Sequence, residues 1–245
     1  DLAIAVSRYN EAELRQAGFA RTVVVPLFVD LGGTEREGGP ARAGLSAAPA
    51  PAPATGPGGA RWLFVGRLIP NKAQHDLIKA LAAYRRLYDP GATLDLVGKP
   101  MLAGYAGTLH RFAAAAGVGG AVRFLGSVGP AGLARLYRQA SVVVCLSDHE
   151  GFCAPLVEAM GHGVPVIAFD AAAVAETVGG AGVVLADKAP VRVAAAVQRV
   201  LRDAGLRAAL VARGRARAAE FSIDRTAARL QAVVEDFLAR RGDPP

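Results

Sequence analysis

The chain has 245 residues, of which 52% are hydrophobic and 20% are charged, and its net charge is +7 with an isoelectric point near 9.9. This length allows one large core, while the longest apolar run, Val164 to Ala175, is interrupted by Asp170 and is too short to cross a bilayer. The two cysteines, Cys145 and Cys153, argue against a disulfide framework and against a zinc site, and they favour a reducing, cytoplasmic compartment.

The positive charge is spread along the chain, mainly from Arg192 to Arg241, with few aromatic residues in between. Such dispersed arginines are typical of solvated helix faces, so we expect no nucleic acid partner. Attraction to anionic lipid headgroups is a milder interpretation, which would place the protein peripherally on the inner membrane face. The chain has no initiator Met and no signal peptide, and we interpret it as a piece of a longer protein.

The first elements form a small unit that is followed by a linker. Strand, helix and strand are predicted at Leu2–Val6, Tyr9–Gln16 and Thr22–Val25. The stretch from Gly32 to Gly59 is rich in Gly, Ala and Pro, and such a composition cannot pack a core. We therefore predict a linker over residues 31–60.

From Arg61 onward, strands and helices alternate regularly. The predicted strands are Trp62–Val65, Thr93–Val97, Val122–Leu125, Val142–Leu146, Val164–Phe169 and Val183–Leu185. The predicted helices are Lys72–Tyr88, Leu102–Ala116, Ala131–Gln139, Pro155–Met160, Ala171–Val178, Pro190–Arg202, Leu206–Ala219 and Ile223–Arg240. This alternation predicts an α/β domain with a doubly wound parallel sheet, which is Rossmann-like and binds ligands beyond the carboxyl ends of its strands.

The loop after the strand Ser141–Leu146 carries two carboxylates eight positions apart, Glu150 and Glu158. Pro155 suits the first position of a helix, where the N–H groups of Leu156 and Val157 would be unpaired. A helix N-terminus of this kind attracts anions, and phosphate is the usual one. With an acid on either side of the phosphate, the layout fits a nucleotide-sugar.

Basic residues follow the strand at Trp62–Val65. Gly66 lets the backbone approach a ligand, and Arg67 and Lys72 can neutralise a diphosphate. A lysine in the first turn of a helix opposes the helix dipole, which indicates a specific reason for Lys72. Val128 follows another strand, where its backbone could pair with a base edge, although an ordinary loop valine is nearly as good an interpretation.

Other interpretations of these residues stay open. Two carboxylates also occur in glycoside hydrolases, although here they flank a helix N-terminus and do not face one bond. His75 and His149 lack the spacing of a metal site, and Gly179–Gly182 precedes a strand, so we interpret this stretch as a turn.

Together these residues resemble the retaining GT-B glycosyltransferases of family 4, which are related to glycogen synthase and sucrose synthase. The resemblance covers about Val65 to Leu185. Its motifs are Gly66-Arg67 with Lys72, Phe124-Leu125-Gly126, and the element from Glu150 to Glu158 that continues into AMGHGVPVIA.

The resemblance implies a set of roles. Arg67 and Lys72 would hold the donor diphosphate and stabilise the leaving group, and Glu150 would bind the donor sugar hydroxyls as a third catalytic residue. The remaining roles would be sugar binding by the backbone of Gly151, Phe152 and Cys153, diphosphate binding by Gly66, Leu156 and Val157, ribose binding by Glu158, and base binding near Val128. Family members need no metal and no cofactor, since the donor is itself the substrate.

The resemblance also divides the chain. Residues 1–30 would be a remnant of the N-terminal acceptor domain, 61–222 the donor domain, and 223–245 a helix that packs on the N-terminal domain. The family has glycine where Cys153 stands and proline where Ala175 stands. We expect transfer of a hexose from GDP-mannose or UDP-glucose to a glycan or lipid-linked acceptor, in cell-envelope polysaccharide synthesis. The fragment alone is expected to be inactive.

Three alternatives remain. The same fold serves sugar-nucleotide epimerases, for which His149 would be an acid or base, and it also serves phosphorylases. The third alternative is a non-catalytic module that binds a nucleotide-sugar.

Overall fold

A computed structural model describes residues 2–29 and 58–242 of the chain. The predicted linker falls mainly outside these residues, since only 58–60 of it are described. Among the described residues, none of the helices combines the length and the apolarity that a membrane span requires.

The main sheet has six strands, all parallel, in the order β5-β4-β3-β6-β7-β8. Its strands are β3 (Arg61–Val65), β4 (Thr93–Val97), β5 (Val122–Gly126), β6 (Val142–Cys145), β7 (Val166–Phe169) and β8 (Val183–Leu185). Strands β3, β4 and β5 follow one another toward one edge of the sheet, and β6, β7 and β8 follow one another toward the other edge. Strand order therefore reverses between β3 and β6. This confirms the doubly wound parallel sheet expected from the alternation of strands and helices.

Helices cover both faces of the sheet. They are α2 (Gln74–Leu87), α3 (Tyr105–Ala115), α4 (Pro130–Gln139), α5 (Ala154–Gly161), α6 (Val174–Val178), α7 (Pro190–Arg202), α8 (Ala204–Ala219) and α9 (Ile223–Gly242), with 3-10 turns at Pro70–Lys72 and Gly119–Ala121. Side chains of β3 alternate between the faces. Trp62 and Phe64 pack with α2, α3 and α7, whereas Leu63 packs with α4, α5 and α6.

A small unit precedes the main sheet. It contains a parallel pair of strands, β1 (Ala3–Ala5) and β2 (Thr22–Val24), which are joined by α1 (Arg8–Gln16). The Glu176 carboxylate on α6 accepts hydrogen bonds from the N–H groups of Arg8 (2.9 Å) and Tyr9 (3.3 Å). Carboxylates stabilise helix N-termini in this way, so Glu176 attaches the first unit to the main domain.

Further contacts position the first unit beside the loop after β6. The ring centroids of Tyr9 and His149 are 5.7 Å apart in an edge-on arrangement. A Cβ atom on Gly151 would lie 3.0 Å from Oδ1 of Asn10, so a glycine gives α1 room to approach this loop. At the other end of the chain, the Arg21 guanidinium lies 5.9 Å from the centroid of the Phe237 ring on α9. Segments from both ends of the chain therefore meet.

Candidate active site

The loops that follow β3 and β6 lie next to each other, at the point where strand order reverses. Crevices at such a point are where open α/β sheets bind their ligands. The N–H of Asp148, in the loop after β6, donates to the carbonyl of Asn71, in the loop after β3, over 2.8 Å. This bond joins the two loops on which most of the predicted site residues lie.

An ion pair forms the centre of this crevice. Lys72 Nζ lies 2.7 Å from Glu150 Oε1, and the two side chains are only 13% and 10% exposed. The backbone carbonyl of Glu150 accepts a 3.0 Å hydrogen bond from the N–H of Ala173, which holds the loop against the start of α6. Lys72 and Glu150 are 78 positions apart in the sequence, and the sequence analysis assigned them to diphosphate and sugar binding separately. The fold brings the two side chains into direct contact.

The expectation that Lys72 begins a helix is wrong. Lys72 ends the 3-10 turn Pro70–Lys72, and α2 begins at Gln74. Between them Ala73 adopts a left-handed conformation, with φ of 48°, which interrupts the helical path. The argument from an unfavourable helix dipole therefore fails for Lys72, and the contact that the structure shows for this side chain is the ion pair with Glu150.

Gly66 lies where the loop after β3 begins. Its N–H donates to the Val97 carbonyl over 2.9 Å, and a Cβ atom on the neighbouring Gly98 would meet the Gly66 carbonyl at 1.9 Å. Gly98, with φ of 147°, is required for this close approach. Arg67 follows with an exposed side chain, while its carbonyl accepts a 2.8 Å hydrogen bond from Gln74 Nε2. Hydrogen bonds hold the backbone here, while the Arg67 side chain is exposed.

Two cysteine thiols also lie close to the Glu150 carboxylate. Cys145 Sγ lies 3.8 Å from Glu150 Oε1 and 3.8 Å from Cys153 Sγ, and both cysteines are buried. The three ligand atoms lie within 4.8 Å of one another, which is close enough to share a soft metal ion. However, the Lys72 ammonium already contacts the carboxylate, and it would repel a cation at the same oxygen.

The start of α5 differs from expectation in one important detail. The helix begins at Ala154, so Pro155 occupies its second position. The N–H of Leu156 donates to the Cys153 carbonyl over 3.0 Å, so the prediction that this N–H is unpaired is wrong. A tight turn at the N-terminus satisfies the donor locally. Leu156 and Val157 are both fully buried, and a phosphate contact by Val157 stays a prediction.

Glu158 is oriented by a residue that the sequence analysis missed. The buried hydroxyl of Tyr137, on α4, donates to Glu158 Oε2 over 2.7 Å, and the Tyr137 ring stacks on His162 with centroids 5.2 Å apart. Burial and the neighbouring Glu158 carboxylate raise the pKa of Tyr137, so its hydroxyl stays protonated and remains a donor. No sequence spacing links Tyr137 to Glu158, because the two residues lie on different helices.

A second missed residue is Lys188, which follows β8. Its ammonium lies 3.0 Å from Asp76 Oδ2 and also contacts Asp148 and the Phe169 ring. Burial alone would raise the pKa of Asp76, but hydrogen bonds from Lys188 and Lys79 outweigh it and lower that pKa. The only available signal was that Lys188 follows a strand, as the other site residues do.

The structure places the remaining candidates as follows. Val128 is half-buried and packs against the cluster of α4 and α5. His149 is exposed and contacts Tyr9. Phe152, from the predicted sugar-binding loop, lines a cavity of about 390 Å³ between the first unit and helices α8 and α9. Three arginines, Arg8, Arg217 and Arg229, and two acids, Glu176 and Glu220, also line this cavity, so it is a second concavity with cations, apart from the crevice at Lys72.

The chain resembles known proteins in sequence and in fold. The family model described as glycosyl transferases group 1 matches residues 55–217. A D-inositol 3-phosphate glycosyltransferase of Salinispora arenicola is 36% identical over 187 residues, which are 73% of this chain and 42% of that protein. The chain thus spans about half or less of the length of such curated relatives.

Solved structures show the same fold. A sucrose-phosphate synthase from Thermosynechococcus elongatus has a TM-score of 0.79 and 27% identity, covering 98% of this chain and 59% of its own. An Anabaena protein solved in complex with UDP and glucose has a TM-score of 0.78 and 24% identity, covering 96% of this chain and 63% of its own, and shows the fold alone. The expected resemblance and the GT-B type of fold are confirmed, and the chain belongs to the group 1 glycosyl transferases.

Proposed function

We propose that this chain is the donor-binding half of a retaining hexosyltransferase, which moves a hexose from a nucleoside-diphosphate sugar to a glycan or lipid-linked acceptor. The observation that carries the proposal is the ion pair between Lys72 and Glu150 at the reversal of strand order. A cation for the diphosphate and a carboxylate for the sugar are thereby held side by side, as transfer from such a donor requires.

Lys72 can serve both partners at once. An ammonium group has three N–H donors, and one of them is directed at Glu150 Oε1. The others remain available for diphosphate oxygens, where negative charge grows as the bond to the sugar breaks. Arg67, which is exposed in the same loop after β3, supplies a second cation with a planar, bidentate fork. Stabilising the leaving group by fixed charges is the chemistry that these residues can perform, with no metal or cofactor in the proposal.

The two carboxylates bind the two polyols of the donor. Glu150 accepts hydrogen bonds from sugar hydroxyls, with the backbone of Gly151, Phe152 and Cys153 beside it. Glu158, which Tyr137 holds in position, accepts hydrogen bonds from the ribose hydroxyls. The backbone near Val128 faces the base. UDP-glucose and GDP-mannose are the donors that we propose to test, and the solved relative from Anabaena was obtained with UDP and glucose.

The proposal also covers the acceptor domain and the cellular compartment. The acceptor binds mainly to a domain of which residues 1–30 are a remnant, and residues 223–245 form the helix that packs against it. The fragment alone is therefore inactive, and the complete enzyme works in the cytoplasm, in contact with the inner face of the membrane, in envelope polysaccharide synthesis.

Isothermal titration calorimetry tests donor binding directly. We expect UDP or GDP to bind the wild-type chain, and Lys72→Ala to weaken that binding at least tenfold, as loss of one charge-assisted contact would. Arg86→Ala is the control, because Arg86 is an exposed cation in the last turn of α2, at the end of that helix away from Lys72. Failure of both nucleotides to bind the wild type would refute the proposal, and an unchanged affinity of Lys72→Ala would remove Lys72 from the site.

A further inference from the structure

We propose that Cys145 and Cys153 form a peroxide-sensitive dithiol, which closes to an intramolecular disulfide and weakens ligand binding at the loop that carries Glu150. The inference about ligand binding rests on the proposed function. The inference about the dithiol does not, since it follows from the geometry of the two sulfur atoms.

The two thiols are already in contact. Their sulfur atoms are 3.8 Å apart, whereas a disulfide bond is about 2.05 Å long, so closure needs a movement of about 1.8 Å. Cys145 ends β6 and Cys153 precedes α5, and the loop between them contains Glu150. Both residues are buried, at 5% and 7% exposure, so neither thiol is placed to form a bond with a second protein molecule.

The backbone at Cys153 is strained. Its φ of 65° and ψ of 62° lie in the left-handed region, which a glycine adopts without cost and a cysteine does not. Strain of this kind at a ligand-binding loop points to a function for the side chain. The side chain of Cys153 contacts Cys145, which explains why a thiol at this position matters.

The chemistry balances with hydrogen peroxide as the oxidant. Hydrogen bonds from the Cys153 thiol and from Ser147 lower the pKa of Cys145, while the same contact and burial raise the pKa of Cys153. Cys145 sulfur attacks one peroxide oxygen, the O–O bond breaks, and a sulfenic acid and hydroxide form, the hydroxide taking up the proton that Cys145 released. Cys153 sulfur then attacks Cys145 sulfur, the S–O bond breaks, and water leaves with the Cys153 proton. Sulfur loses two electrons and the peroxide is reduced to two waters.

Closure changes the surroundings of the ion pair. Cys145 Sγ contacts Glu150 Oε1 at 3.8 Å and Ser147 Oγ at 3.3 Å, and both contacts shift when the sulfurs draw together. Glu150 and the start of α5 move relative to Lys72, which lies on a different loop. We therefore expect the oxidised chain to bind UDP about tenfold more weakly than the reduced chain, as loss of one charge-assisted contact would.

Mass spectrometry of the full 245-residue chain tests the dithiol. Trypsin releases both cysteines in one peptide, residues 139–188, because this stretch has no Lys or Arg before Lys188. After peroxide treatment we expect that peptide to lose about 2 Da and to resist alkylation. Cleavage after Glu150 should then leave two pieces that stay joined until dithiothreitol is added.

Two variants, each lacking one of the two cysteines, test the separate steps of disulfide formation. In Cys153→Ser, Cys145 has no resolving thiol, so we expect a sulfenic acid that dimedone traps and no loss of 2 Da. In Cys145→Ala, we expect UDP binding that does not respond to peroxide. Alkylation of both cysteines after peroxide, a disulfide between two molecules, or tightly held zinc that protects both thiols would each overturn the dithiol.

The effect of the disulfide on UDP affinity is measured in a separate experiment. UDP titrations of the reduced, oxidised and dithiothreitol-rescued chain should give strong, weak and restored binding. Equal affinity of the reduced and oxidised forms would overturn the effect on the loop, even if the disulfide forms. If the reduced chain binds neither UDP nor GDP, the proposed function fails, while the peptide masses still decide whether the dithiol exists.

Discussion

The two ends of the loop and helix from Glu150 to Glu158 hold their carboxylates in different ways. Glu150 is buried and pairs with the cation of Lys72, so the charges cancel. Glu158 is half-buried and accepts a hydrogen bond from the neutral hydroxyl of Tyr137, so its negative charge remains. In the proposed function, an anionic diphosphate would be repelled by the Glu158 end, and its contacts would fall at the Lys72 end. We therefore expect a nucleotide-sugar to bind with its phosphates toward Lys72 and its ribose toward Glu158.

The largest effect should come from breaking the ion pair between Lys72 and Glu150. Lys72→Met leaves the Glu150 carboxylate buried without its cation, which should lower the free energy of unfolding by about 3 kcal/mol. Urea denaturation measures this change. Lys72→Arg keeps a cation and should lose less than half as much. Equal losses for the two variants would mean that packing of the lysine stem, and not its charge, stabilises the loop.

The Glu158 end should be less sensitive. Tyr137→Phe removes one hydrogen bond to a charged group and should lower the free energy of unfolding by about 1.5 kcal/mol, because half-buried Glu158 can recruit water. Tyr84→Phe is the control, since the Tyr84 hydroxyl bonds a neutral amide, that of Gln198, over 3.1 Å. We expect a loss of about 1 kcal/mol for this control. If Tyr137→Phe lowered the free energy of unfolding more than Lys72→Met does, the ion pair at Glu150 would not be the stronger of the two contacts, against our expectation.

A third carboxylate, that of Asp76, pairs with the Lys188 ammonium. The side chains of Asp76 and Lys188 are 13% and 20% exposed. Asp76→Asn should cost about 1 kcal/mol at pH 7. Because the pKa of Asp76 is lowered on folding, its contribution is present above the unfolded-state pKa, near 3.9, and is lost as the pH falls through the folded-state value. The pKa of Lys188 is raised, so its contribution is lost only as the pH rises above about 10.4.

The difference in unfolding free energy between wild type and Asp76→Asn should thus be largest between about pH 4 and pH 10. Denaturation at pH 3, 7 and 9 measures it. A difference that persists unchanged at pH 3 would show that the pair is not the cause.

The smallest effect on stability is expected at Arg67. Its side chain is exposed, so Arg67→Ala should unfold with the wild-type midpoint while binding UDP more weakly. Arg86→Ala, another exposed arginine, is the control and should change neither property. Wild-type affinity for UDP in Arg67→Ala would leave Lys72 as the cation that holds the diphosphate.

These differences also show what the sequence could predict. The buried strands and the reversal of strand order followed from apolar runs such as Val142–Leu146, because alternation with helices leaves few topologies. The start of α2 at Gln74 could not be predicted, because the left-handed conformation of Ala73 has no signal in the sequence. The Leu156 N–H was misjudged because a tight turn at Cys153 satisfies it locally. Tyr137 and Lys188 were missed because their contacts join elements that only the folded chain brings together.

The position of the diphosphate tests the central claim most directly. A crystal structure of the chain with UDP should show the phosphates within hydrogen-bonding distance of Lys72 Nζ and the Arg67 guanidinium, with the ribose at Glu158. The cavity lined by Arg8, Arg217 and Arg229 is a competing cationic site. Phosphates bound in that cavity, with the contact between Lys72 and Glu150 undisturbed and no nucleotide beside it, would contradict the account.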